Sequence, residues 1–294
     1  MTATRKSSLP LDLFLLALIF AGAGYIGYRV VVQLNYSWNW SGIWQYLFRY
    51  DEQQGRFVAN YLVLGLLTTI RLSLYAGILA LFGGLCMALA RTSRSLFWRL
   101  IGRTYIELMR NLPPLVIIFL VYFFLVDQIA PFQWIDSATR NAQPATIHFL
   151  TLFVAPPSSL SAFLSAVVTL AVFESAYIAE IIRSGIESVD KGQWEAAHAL
   201  GLTRRQTLKN IILPQGFRQI LPPLAGQFIS LIKDSSIVSV ISIQELTYQG
   251  TQLMASTYMT IEVWVLVALM YFLLTFPCSM AIGKLERSLA RNSA

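Results

Sequence analysis

Long apolar runs alternate along the chain with short polar segments rich in arginine and lysine. The runs Leu9 to Gln33, Phe57 to Ala90, Tyr105 to Val126, Leu160 to Ile182, Ile220 to Ile243 and Ile261 to Ile282 each reach the ~20 residues that a helix needs to cross a bilayer. They predict an all-α integral membrane protein with six transmembrane helices. Phe57 to Ala90 is longer than one crossing requires, which predicts tilt or a projecting end; its Gly83-Gly84 pair would let another helix approach closely. Pro113-Pro114 should kink or break the third span, since loosened backbone is tolerated in a bilayer only against protein or a water-filled cavity.

A polar, basic interruption between spans runs from Asp190 to Pro214, DKGQWEAAHALGLTRRQTLKNIILP. It predicts two short helices with a stop between them. Asp190 can cap the first, with Gln193 completing a capping box, and Thr203 with Gln206 repeats the device. Gly201 sits where a left-handed C-terminal cap is wanted, and Pro214 is expected to end the second helix. On pattern alone an ordinary cytoplasmic loop is the favoured reading. A DNA-reading helix–turn–helix fits poorly, because the segment lacks the supporting third helix.

Two outer segments differ from the rest. Residues 34–56 carry Tyr36, Trp38, Trp40, Trp44, Tyr46, Phe48 and Tyr50, residues that belong at the headgroup level. Residues 127–159 form a long connection in which Pro131, Pro144, Pro156 and Pro157 argue against extended helix, with Ile147 to Val154 apolar enough to enter the interface. Such a length usually has a role, here either docking of a periplasmic partner or plain spacing. Ala21-Gly22-Ala23 after an apolar core would also suit a cleaved signal peptide, although the apolar pattern continues beyond it.

Composition agrees with the pattern. Of 294 residues 56% are hydrophobic and 13% charged, against about 25% charged in a soluble domain, and the mean hydropathy is +0.59. The net charge of +7 would suit nucleic acid, but its distribution follows the inside bias of membrane proteins. Arg5, Lys6, Arg91, Arg94, Arg99, Arg103, Arg183, Lys191, Arg204, Arg205, Lys209, Arg218, Lys284, Arg287 and Arg291 fall on one side, and only Arg49, Arg56 and Arg140 on the other. That places both termini in the cytoplasm and requires no nucleic-acid partner. Cys86 and Cys278 lie in separate apolar runs, and His148 and His198 are far apart, so no metal site or disulfide framework is expected.

No G-x-x-x-x-G-K-[ST], G-x-S-x-G or H-E-x-x-H occurs, so neither nucleotide binding by a phosphate loop nor these forms of hydrolysis is expected of the chain. Chemistry would rest instead on ionisable residues in the spans, which cost at least ~2.5–3.5 kcal/mol and so mark a pathway. These are Arg71, Glu174, Glu180, Lys233 and Asp234. Both signs are present, which suits a zwitterion; mutual pairing that fixes helix packing is the competing explanation. Glu180 could be neutralised by Arg183, and Glu107 should face Arg110 one turn on.

The spacing of Glu195-Ala196-Ala197, Gly201, Ile211 and Leu213-Pro214 resembles the EAA loop of permease subunits of ATP-binding-cassette importers. YIELMRNLPPLVIIF and FESAYIAEIIRSGIESVDKGQWEAA resemble the polar amino-acid class of that family, with Asn111-Leu112 and Ile117 departing from its usual residues. The likeness spans residues 57–285, leaving 1–56 as an extra helix with an aromatic outer segment and 286–294 as a cytoplasmic tail. It implies a type I ABC importer permease fold with a cytoplasmic coupling helix, docked through Glu195 and its neighbours on an ATP-binding subunit. It further implies a periplasmic amino-acid-binding protein, a second permease (self or paralogue), surrounding membrane lipid, and ATP with magnesium on the partner rather than here. An ion-coupled secondary amino-acid transporter is the alternative, but internal repeats are not evident.

Overall fold

The computed structural model describes residues 9–29, 32, 36–53, 55–126, 128, 131–140 and 142–291. Arg5, Lys6, Gln33, Asp127 and the last three residues of the tail lie outside them. The chain falls into two units, residues 1–42 and 43–294. In the first, α1 (Leu9–Tyr28) carries apolar side chains all round and none of its spanning window is buried. Beyond it Trp38 stacks on Trp40 with ring centroids 6.1 Å apart.

The second unit opens with an unexpected element for an all-helical pattern. Strands β1 (Phe48–Asp51) and β2 (Arg56–Ala59) pair antiparallel. The chain reverses through Gly55 at φ +62°, a conformation glycine enters without a Cβ penalty. Tyr50 meets Phe57 edge-on across the pair at 5.4 Å. The aromatics that suggested a headgroup belt also supply the cross-strand contact.

Helix α2 (Tyr61–Arg91) follows, then α3 (Leu96–Asn111), α4 (Pro114–Leu120) and a π-helical turn, Val121–Val126. The predicted third crossing is therefore broken. The backbone is extended at Leu112 and Pro113, because residues before proline avoid the α region. Five helices among the described residues are long and apolar enough to cross a membrane, and Pro114–Phe124 is a shorter apolar piece. The connection expected to resist helix contains α5 (Pro131–Arg140) and α6 (Pro144–Phe153). Its prolines stand at helix starts, where the missing amide has no intrahelical role.

At the centre runs α7 (Leu160–Glu187), the most buried of the five long helices. It packs beside α2, and Gly84 makes the approach possible: a Cβ there would meet Ile178 Cγ2 at 2.6 Å. The short helices α8 (Lys191–Ala199) and α9 (Arg204–Thr207) precede a π-helical turn, Leu208–Ile212, and then α10 (Leu213–Asp234). A 3₁₀ segment, Ser235–Ile241, leads to α11 (Leu246–Thr257) and α12 (Thr260–Arg291).

Pro214 does not end a helix. The widened turn before it has already re-spaced the backbone bonds, with Leu213 N donating to Leu208 O, and the chain continues into α10. Pro222 and Pro223 likewise lie inside that helix. The connection between the last two apolar runs is itself helical: α11 is capped by Glu245, whose Oε1 accepts from Tyr248 N at 2.7 Å. Its Oε2 accepts from Tyr271 OH at 2.8 Å and Thr69 Oγ1 at 3.3 Å. Burial still pushes this carboxyl above its ordinary value.

Candidate functional site

The elbow between α7 and α10 is built from local sequence. Asp190 caps α8, but its Oδ1 accepts from Gly192 N at 2.6 Å. The expected box with Gln193 is replaced, since Gln193 Oε1 accepts from Gln215 Nε2 at 3.3 Å on α10. At the other end Gly201 adopts φ +71°. Its amide donates to His198 O at 3.0 Å and the Leu202 amide to Ala197 O at 3.1 Å, the paired bonds of a Schellman cap. Thr203 and Gln206 form the second capping box in full.

The motif residues divide by face. Ala197 is fully buried, as are Thr207 and Ile212 beside it in the elbow, and Ile211 is half-buried. Glu195, Ala196, Gly201, Leu213 and Pro214 are exposed. The small Ala197 thus lets α8 lie close to the turn after α9, while the others line an outward surface. Leu200, not singled out from the sequence, is 77% exposed at its tip. The elbow is continuous with α10 and separated from α7 by only Ser188, Val189 and Asp190, so it can transmit displacement to two long helices.

A second constellation lies where α2, α3 and α7 meet. Glu180 accepts from Arg91 Nη1 at 2.9 Å and Arg183 Nε at 3.0 Å, and Arg110 Nη1 approaches it at 3.7 Å. Arg183 also bonds Glu187. Glu107 turns to Arg91 at 3.8 Å, so the expected Glu107–Arg110 pair gives way to pairs between helices. Glu180 is shared among three arginines, which suits a packing clamp better than a free binding group.

Glu174 differs. It is fully buried on α7; its Oε2 accepts from Gln227 Nε2 of α10 at 2.8 Å, and its Oε1 accepts no hydrogen bond, while the Asp234 carboxyl lies within hydrogen-bonding reach of the same group. Buried polar atoms are ordinarily satisfied, so an orphan oxygen calls for an explanation such as a binding role. It borders a pocket of about 200 Å³ whose other walls include Gly77, Ile178, Phe228 and Leu231. Asp234 and Tyr177 lie within electrostatic reach, and the Arg110 guanidinium stands 6.0 Å from the Tyr177 ring centroid.

Residues 80–291 match the family described as binding-protein-dependent transport system inner membrane component. The chain belongs to that family. The permease is 35% identical over 226 residues to a probable glutamine ABC transporter permease of Bacillus subtilis, covering 75% of this chain and 91% of the relative. It is 34% identical over 221 residues to the glutamine transport system permease of Escherichia coli K12, covering 74% and 89%. It superimposes with TM-score 0.66 and 30% identity on a chain from the crystal structure of an amino acid ABC transporter with histidines, covering 86% of this chain and all of that one. The permease is thus a multi-pass inner-membrane protein of the type I fold, as the EAA spacing implied.

Within it the sequence-derived path residues do not form one cluster. Glu174 and Asp234 come together, while Glu180 is committed to its arginines. Lys233 is exposed in the last turn of α10, inside the span that the 3₁₀ segment continues to Ile241. Arg71 is half-buried on α2 and borders a different cleft. Gln227 was missed: an amide in an apolar run carries no periodic signal, and only packing brings it to Glu174. Arg110 was read only as a partner for Glu107, and packing sets it over the Tyr177 ring instead.

Proposed function

We propose that this permease forms half of the membrane path of an importer for polar L-amino acids, driven by ATP hydrolysis in a separate subunit. The observation that carries the reading is the elbow: an exposed, doubly capped knuckle bearing Glu195, Ala196, Leu200 and Gly201, joined to both α7 and α10. Glu195 and its exposed neighbours dock on the ATP-binding subunit, which holds the ATP and magnesium. Closure of the nucleotide-binding pair draws the elbows together and turns α7 and α10 as levers, a rigid-body switch between packed states. A periplasmic binding protein delivers substrate, and a second permease, identical or paralogous, completes the path. The basic-residue bias supports both termini and the elbow on the cytoplasmic side. Glu174 and Asp234 supply the acidic lining of the path, and Glu180 holds α2, α3 and α7 in register.

The amino-acid substrate rests on the names of the relatives, glutamine permeases and an amino acid transporter. The test is reconstitution in proteoliposomes with the ATP-binding subunit and the binding protein, following labelled L-glutamine and a panel of other L-amino acids. Uptake should require ATP and both partners. Uptake by the permease alone under a proton or sodium gradient would establish the ion-coupled alternative instead. Assembly with ATP hydrolysis but no amino-acid uptake would reduce the chain to a relay.

A further inference from the structure

A second opening lies at the N-terminal end of the α2–α7 pair. It is a cleft of about 450 Å³, within the range of small-molecule sites. Helix α2 contributes Thr68 and Arg71, the turn before α7 contributes Ser158 and Ser159, and the connection before α11 contributes Ser242 and Gln244. Arg71 is the one charged side chain among the described residues that line it. It takes part in none of the ion pairs found among the described residues. The neighbouring acid, Glu245, is already engaged by Tyr248, Tyr271 and Thr69.

An arginine held in a spanning helix without a carboxylate is expensive to maintain and marks a functional place. The surrounding hydroxyls and amide can donate further hydrogen bonds to an anion. The guanidinium fork matches a carboxylate in two parallel bonds. No carboxylate among the lining residues opposes such a guest.

The distance to the Glu174 pocket limits how the two are used. Helices α2 and α7 run side by side in the same direction, Tyr75 meeting Phe163 edge-on at 6.3 Å and Gly84 facing Ile178. Phe163 lines the Arg71 cleft, and Glu174 lies 11 residues further along α7 (174 − 163). That is ~16 Å at 1.5 Å per residue. The ammonium and carboxylate of an amino acid sit on one carbon and cannot reach both places together.

We infer that the Arg71 cleft is a separate station that takes the α-carboxylate of the incoming amino acid before the substrate reaches the Glu174 pocket. The inference rests on the importer reading for its direction, outside to inside. Its binding chemistry can be tested independently. The assembled permease–ATPase complex in neutral-lipid nanodiscs is treated with phenylglyoxal, and labelling of Arg71 is followed by peptide mass spectrometry. Acetate and L-glutamine at saturation should abolish labelling, while methylammonium should leave it unchanged. Absence of protection by both carboxylates overturns the station. So does protection that appears only when phosphatidylglycerol replaces the neutral lipid, which would assign the cleft to a headgroup phosphate. In proteoliposomes Arg71→Gln should raise the KM for uptake about tenfold, the loss of one charge-assisted contact, with Arg71→Lys intermediate. Equal KM values in all three proteins also overturn it. If the complex carries no amino acid at all, the importer reading fails, and the acetate protection still reports on the cleft.

Discussion

Gly201 is the position at which a single backbone angle decides whether the elbow keeps its form. Its φ is +71°, and a Cβ placed there would meet nothing within 4 Å. A substitution therefore acts through backbone strain and not through collision. Alanine in the left-handed region costs ~1–2 kcal/mol, a ~5–30-fold loss in the population of the native turn where nothing else holds it. Asparagine, which tolerates that region, should cost less. Proline fixes φ near −65° and removes the amide that now donates to His198 O at 3.0 Å, losing a further ~0.5–1.5 kcal/mol of hydrogen bonding. It also disfavours the present backbone of Leu200, at φ −80° and ψ 3°. The expected order of coupled function is Gly, Asn, Ala, Pro. The assay is the ratio of substrate imported to ATP hydrolysed in proteoliposomes, with membrane insertion checked separately. Gly201→Pro should insert normally and uncouple the two. Wild-type uptake by that variant, or an order set by side-chain size, would refute the reasoning.

Three further outcomes are expected. Gly185→Ala places a Cβ 2.2 Å from Ile220 Cγ1 and should destabilise the α7–α10 contact by ~1–3 kcal/mol; Ile220→Ala should partly restore the melting temperature, a coupling that a double-mutant cycle detects. Glu174→Gln should leave thermal stability unchanged or raised, because an amide can occupy the place of the orphan oxygen without a buried charge, while uptake falls; equal loss of both would make Glu174 a packing residue. Glu180→Gln removes the negative charge, and one of the two accepting oxygens, shared by Arg91, Arg110 and Arg183 and should lower stability by ~1.5–3 kcal/mol, read as a melting shift in detergent, with a smaller effect on substrate KM than Glu174→Gln.

Much of the architecture was legible in residue order because its signals are local. A run of some twenty apolar residues states a membrane helix whatever its neighbours are, and the runs beginning near Leu9, Phe57, Leu160 and Ile261 reappear as α1, α2, α7 and α12. Gly201 and the Thr203–Gln206 box were equally legible, since a cap involves only residues within one turn. Proline was misread in both directions. Pro214 continues a helix because the π-turn before it absorbs the missing amide, and Pro131 and Pro144 begin helices. Its effect depends on where in a helix it falls, which the pattern alone does not state.

The amino-acid order by itself determined that the chain is a bundle of membrane helices interrupted by a polar elbow, because hydrophobic length and capping chemistry act on neighbours in sequence. Only the tertiary structure decided which ionisable residues are free. Glu174, Glu180 and Arg71 look alike as isolated charges in oily runs. Packing gives Glu180 three arginines, gives Glu174 one glutamine and an unsatisfied oxygen, and gives Arg71 a polar cleft among the described residues with no acid. The reason is physical: a charge in a low-dielectric interior is defined by what lies within a few ångströms, and those neighbours come from helices many tens of residues away.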